Sequence, residues 1–282
     1  MAVARALQAA GGALRRNPSI VGVVLAFMLA QLPVQFAQLL GPTAAVAASG
    51  VTVVLSLVLV PFVFAGMLGM AAEALDGTTS LGTFVAAGKR HYTSMLGAYG
   101  LLLVGAVVFG IVSSILFAVV SVGVFAPLAS GGALNPSTFG IVAPVVLVAF
   151  VLLWFLPLFF VQFYGQAIVL DGAGALGGFK RSVGVVRRNL LSVFGYSVVV
   201  FVVGLVLGLL TSIPSTLISA QRLPAATFPD LPLSLLAGLA VAGNVLMALF
   251  GSLFLVFSVA FYRSLDRPGD ADGPESLQSA VA

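Results

Sequence analysis

Long uncharged apolar runs alternate along the chain with short polar stretches in which the cations are grouped. Six runs reach the ~20 residues needed to cross a hydrocarbon layer, at about residues 19 to 40, 51 to 70, 95 to 120, 141 to 168, 190 to 213 and 233 to 261. None contains Asp, Glu, Lys, Arg or His. A charge at a helix centre costs ~2.5 to 3.5 kcal/mol on insertion, so six spanning helices are the expected product of this pattern.

The polar stretches carry a second, helical periodicity. In the first, Val3, Leu7, Ala10 and Leu14 share one face, opposite Arg5, Gln8, Arg15 and Arg16. Between runs four and five, Leu176, Phe179, Val183, Val186 and Leu190 form a stripe, opposite Lys180, Arg181, Arg187 and Arg188. Residues 78 to 93 repeat the theme weakly, with Leu81, Phe84 and Tyr92 as anchors. Amphipathic helices of this kind are expected to lie flat in the headgroup layer.

The pattern also repeats. Shifted by 98 residues, Lys89 and Arg90 fall on Arg187 and Arg188, Ser94 on Ser192, Gly97 on Gly195, and 110 to 115 on 208 to 213. Every even run ends at a Leu-Asp step, Leu75-Asp76, Leu170-Asp171 and Leu265-Asp266, at intervals of 95 residues. Pro61 and Pro157 precede their aspartates by similar distances and suggest a kink at one repeat position. The expected architecture is all-α: a polytopic membrane bundle of six helices in three hairpin units, about 1-76, 77-171 and 172-266, each with a cytoplasmic amphipathic helix. Residues 1-267 form this domain, and 268-282, acidic and without apolar periodicity, should be a disordered cytoplasmic tail.

Composition agrees, with 61% hydrophobic and 7% charged residues against roughly 25% charged in soluble domains. Eleven of the twelve cations fall on one side of the six-run pattern, with Arg222 alone on the other. The positive-inside rule makes that side cytoplasmic and places both termini there. The basic balance therefore speaks for anionic headgroups, contacted by Arg15, Arg16, Lys89, Arg90, Lys180, Arg181, Arg187 and Arg188, and not for nucleic acid. The bilayer is the one partner implied, and protein partners stay open. Ala45-Val46-Ala47 has the form of a signal cleavage site, but the apolar run before it exceeds the 7 to 15 residues of a signal core, so no cleavage is expected. Arginine-rich, Ala-, Gly- and Val-rich composition suits a G+C-rich prokaryote.

Candidate chemistry is sparse. With no cysteine and one histidine, neither thiol chemistry nor a histidine-rich metal site is available, and no cofactor or catalytic activity is expected. Gln31, Gln35 and Gln38 share a face of the first run, Gln162 and Gln166 share one of the fourth, and Asn244 lies in the sixth. These amides either line a polar cavity or bond neighbouring helices. Small-residue stripes, Ala106, Gly110 and Ser114 and then Gly204, Gly208 and Ser212, suggest close helix packing. His91 reads as interfacial, with its pKa lowered by Lys89 and Arg90; Asp76 and Asp171 read as turn or cap residues, and Glu73 with Asp76 as a solvated face.

The stretch from Leu170 through Gly174, Lys180-Arg181-Ser182 and Arg188-Asn189 to Phe194 resembles a motif of prokaryotic multi-pass proteins that include the membrane domain fused to some glycerophosphodiester phosphodiesterases. The resemblance implies the membrane part without the enzymatic barrel, and carries no site residues. Glu73-Ala74-Leu75-Asp76-Gly77 with Phe84 looks faintly like the coupling loop of ABC importer permeases, but lacks its opening and closing residues. Two functions follow: a non-enzymatic membrane-organising or partner-binding protein, or a permease for a neutral or amphiphilic small molecule.

Overall fold

The computed structural model describes residues 2–33, 42–129, 136–221 and 232–266, and every element among them is an α-helix. In chain order these are α1 (Ala2–Arg16), α2 (Pro18–Leu29), α3 (Pro42–Asp76), α4 (Leu81–Ala129), α5 (Pro136–Val161), α6 (Tyr164–Leu170), α7 (Ala175–Arg188), α8 (Leu190–Gln221) and α9 (Leu233–Asp266). Five of the helical units, α3, α4, α5 continued by α6, α8 and α9, are long and apolar enough to cross a membrane. Side chains such as Val54, Val104, Leu158 and Val202 stand exposed along them. An apolar exterior of this extent has lipid as its natural solvent, and the chain is a multi-pass membrane protein. Of the first predicted run only α2, 12 residues, lies largely within the described residues. Gln35, Gln38, Arg222, Arg267 and the predicted tail lie outside them.

Packing is densest where the helices meet the cation-bearing segments. There α3 and α4 form an antiparallel hairpin whose closeness depends on glycine: a Cβ at Gly69 would stand 2.3 Å from that of Ala87, and one at Gly88 2.7 Å from the Phe62 ring. Beside the hairpin, Phe163, Tyr196, Phe257, Phe261 and Tyr262 join α6, α8 and α9 in an aromatic core, with Tyr196 stacked on Phe261 at 4.6 Å.

Helices α1 and α7 are built into this core. In α1 the buried residues are Ala6, Ala10 and Ala13, while Leu7 of the predicted stripe is exposed. In α7 Gly178, Ser182, Val185 and Val186 are buried, whereas Leu176, and Leu190 at the start of α8, are exposed. The periodicity correctly marked both helices as amphipathic, and most of each predicted stripe faces inward: Ala10 and Val186 are buried, and Val3, Leu14 and Phe179 pack against the core. Small residues outside the predicted stripes, Ala6, Ala13, Gly178 and Ser182, complete the buried faces. The middle segment differs again, since residues 78 to 93 do not form a separate helix. Thr83 N–H is capped by Ser80 Oγ at 3.4 Å, and from Leu81 the chain runs into α4 without interruption.

Two breaks are held by buried polar side chains. Between α1 and α2, Asn17 donates to Ala13 O (2.9 Å) and Gly77 O (3.0 Å) and accepts from Thr79 N–H (2.7 Å), which ties this junction to the α3–α4 turn. Pro61 lies in the interior of α3, whereas the helix containing Pro157 is interrupted at Gln162 and Phe163. A broken helix exposes backbone groups that need partners. Ser182 of α7 supplies both: its Oγ donates to Phe160 O at 2.9 Å and accepts from Phe163 N–H at 3.1 Å.

The small-residue stripes do not pack as expected. A Cβ added at Gly110, Gly204 or Gly208 would meet no atom of a described residue on another helix within 4 Å. Close helix approach uses the glycines of the α3–α4 hairpin instead.

Candidate functional site

Two of the three Leu-Asp steps, those at Asp76 and Asp171, end on a common cavity. Arg263, near the end of α9, reaches Asp76 at the end of α3 through two bonds, Nη1 to Oδ1 at 2.8 Å and Nη2 to Oδ2 at 3.1 Å, and also donates to Ala72 O at 3.1 Å. Tyr262 donates its hydroxyl to Asp171 Oδ2 at 2.6 Å, and Arg181 Nε adds a 3.1 Å contact to the same oxygen. Asp171 caps α6 ahead of Gly172, whose φ of 66° lies in the left-handed region where glycine is favoured. That turn sends the chain into α7 and brings Arg181 back to the aspartate.

Between these helix ends lies a cavity of about 670 Å³. Two helical faces of equal spacing form its main walls: Gly69, Ala72, Glu73 and Asp76 on α3, and Thr83, Ala86, Ala87 and Arg90 on α4. Small side chains open the space, and charged ones ring it. His91, Asp171, Tyr262 and Arg263 complete the lining with Val169 and Leu170.

Most of its charges are already matched. Asp76 and Arg263 hold one another, and Asp171 is engaged by Arg181 and Tyr262. Glu73 Oε2 accepts from the hydroxyls of Thr79 (2.7 Å) and Thr83. The Thr83 bond first, then that of Thr79, holds the Glu73 carboxyl below its ordinary range, so it stays ionised. Glu73 and His91 lie outside the charge-free runs at 51 to 70 and 95 to 120. Burial, with a smaller contribution from the Arg90 charge, pushes the His91 pKa down and favours a neutral ring. Arg90 is exposed and makes no ion pair with a described residue. Both hydroxyls in the lining are spent on carboxylates, and no group of three or more His, Asp or Glu residues among the described residues is placed to share a metal ion. The lining offers charged groups and hydrogen-bond donors and acceptors.

The glutamines proposed from sequence lie elsewhere. Gln162 donates to Phe159 O at 2.9 Å and shares a 3.2 Å contact with Ser197 of α8. Gln166 is buried and donates to Ser258 of α9 at 3.1 Å, leaving its Oε1 without a partner. Asn244 bonds Ala240 O of its own helix at 2.8 Å. Gln31 follows the last turn of α2, and Gln35 and Gln38 are outside the described residues. The described amides thus face separate partners, and none lines the cavity. The predicted headgroup cations are all exposed: Arg15, Arg16, Lys89, Arg90, Lys180, Arg181, Arg187 and Arg188. Arg181 is the one drawn into an ion pair with Asp171.

The sequence reading treated Asp76 and Asp171 as turn residues and missed the cavity they border. The Leu-Asp recurrence was the available signal, since two of its three aspartates, Asp76 and Asp171, border the cavity. Asn17 and Asn189 were also missed, although Arg15-Arg16-Asn17 and Arg187-Arg188-Asn189 have the same form. Each amide donates to the carbonyl four residues back, Ala13 at 2.9 Å and Val185 at 3.0 Å. Comparison with known proteins gives one family, described as Domain of unknown function (DUF7847), which matches residues 1–265. No curated protein and no solved structure matches the chain.

Proposed function

The chain belongs to the DUF7847 family, and from that premise we propose that it is a non-enzymatic, membrane-organising protein whose cation-bearing end is a packed platform for headgroups and partners. Six spans with both termini in the cytoplasm are part of this reading, as are the three hairpin units. The similarity of residues 170 to 194 to the membrane domain of glycerophosphodiester phosphodiesterases fits it too, as a membrane part that works without the enzyme.

The observation that carries the proposal is the use of Gln162 and Gln166. A permease for a neutral solute needs amides turned to a shared hydrated path. Here one is bonded to Ser197 and the other to Ser258, so both join helices to their neighbours. The exposed cations and the polar cavity lie at the other functional level, where the spans end.

The native chain has no cysteine, which makes the test clean. Gln162→Cys and Gln166→Cys in membranes should both resist a water-soluble thiol reagent. Rapid labelling of both would overturn the platform reading in favour of a transport path.

A further inference from the structure

We infer that the 670 Å³ cavity is a binding site for a zwitterionic phospholipid headgroup bearing a free ammonium, the aminoethyl phosphate type, with Arg90 receiving the phosphate and Glu73 the ammonium. The assignment rests on the platform reading and names the ligand of its polar end.

The unmatched charges decide the class. Of the charged groups lining the cavity, Asp76 and Arg263 neutralise one another, and Asp171 is held by Arg181 and Tyr262. That leaves one guanidinium without an ion pair to a described residue, Arg90, and one carboxylate bonded only to neutral groups, Glu73. Both threonine bonds fall on Oε2, and no charged donor among the described residues reaches the carboxylate. A purely anionic headgroup would satisfy Arg90 and be repelled by Glu73. A quaternary ammonium would satisfy the charge of Glu73 but offer it no hydrogen bond.

The order of the two charges points to lipid as the source. Glu73 bonds Thr83 near the start of α4, and Arg90 stands seven residues further on, roughly 10 Å nearer the apolar run that begins at residue 95. A phospholipid presents its phosphate on the hydrocarbon side and its amine on the aqueous side. The cavity presents its cation and its carboxylate in that same order. Gly69 and Ala87, in contact across the hairpin, and Ala72 and Ala86 keep the walls low enough for a headgroup to enter.

The test uses the full chain purified in detergent and titrated with dioctanoyl phosphatidylethanolamine, phosphatidylglycerol or phosphatidylcholine, with bound lipid counted by native mass spectrometry. Phosphatidylethanolamine should be held about tenfold more tightly than the other two, as expected for one charge-assisted bond gained. Arg90→Gln should weaken phosphatidylethanolamine and phosphatidylglycerol alike, Arg90→Lys should restore much of the loss, and Glu73→Gln should abolish the preference between them. Melting temperatures of the variants establish that they fold; should Glu73→Gln not fold, the two Arg90 variants still decide. Equal binding of the three lipids, or an affinity for phosphatidylethanolamine untouched by Arg90→Gln, would overturn the site. Displacement of lipid by millimolar phosphoethanolamine would overturn the lipid source and leave a soluble zwitterion in its place. Loss of the lipid preference with Gln162→Cys and Gln166→Cys still shielded would remove the ligand assignment alone, whereas labelled cysteines with the preference intact would remove the platform reading alone.

Discussion

Arg263 clasps Asp76 through two N–H···O bonds of 2.8 and 3.1 Å, closing the end of the last helix onto the end of the first long one. The pair spans 187 residues of sequence and forms one corner of the cavity. Its side chains are 36% and 69% exposed, so solvent screens the attraction. A double-mutant cycle with Arg263→Gln and Asp76→Asn should give a coupling of about 0.5 to 1 kcal/mol at low salt, shrinking as salt rises. Thermal unfolding in detergent at two ionic strengths measures it, and a coupling indifferent to salt would mean the pair is not acting by charge.

Ser182→Ala should destabilise by about 1 to 3 kcal/mol, because Phe160 O and Phe163 N–H would lose their shared partner inside the protein. Ser114→Ala is the control. That hydroxyl is exposed and bonds a carbonyl of its own helix, so its loss should leave the melting temperature nearly unchanged.

Asn17→Ala removes two donated bonds and one accepted bond and should cost about 2 kcal/mol. Asn17→Asp keeps an acceptor for Thr79 N–H but gives up the donation to Gly77 O. Its melting temperature should fall between those of the native chain and the alanine variant, and proteolysis at the α3–α4 turn should rise in the same order.

Glycine positions separate the two packing hypotheses. Gly69→Leu should strongly reduce folded yield, since even a Cβ there would stand 2.3 Å from that of Ala87. Gly208→Leu should cost less, because a Cβ at that position meets no atom of a described residue on another helix within 4 Å. A greater loss from Gly208→Leu would restore the small-residue stripes as the packing surface.

Much of this arrangement was legible in the apolar runs. Charge exclusion located the long membrane helices, because a charge inside hydrocarbon is costly wherever the fold places it. The Leu-Asp steps located helix ends for the same reason. Periodicity showed that α1 and α7 have two faces, but a face has no label for what covers it. Ala6, Ala10 and Ala13 carry little hydrophobic weight in sequence, yet they are the surface on which the helix packs. The break at Gln162 and Phe163 depends on Ser182, 19 residues away, and no local propensity encodes that distance. Gln162 and Gln166 were correctly singled out as polar residues within a span. Their partners, Ser197 and Ser258, come from other helices and were invisible until the helices were packed.

Everything proposed for the cation-bearing end requires that end to face the cytoplasm, and topology reporters read this directly. Fusions after Thr79, Gly174 and Gly269 should report from inside, and fusions after Gly41, Gly131 and Ala225 from outside, as six spans with internal termini demand. Outside signals from Thr79 and Gly174 would put Glu73, Arg90 and the cavity on the opposite surface and contradict the platform proposed for it.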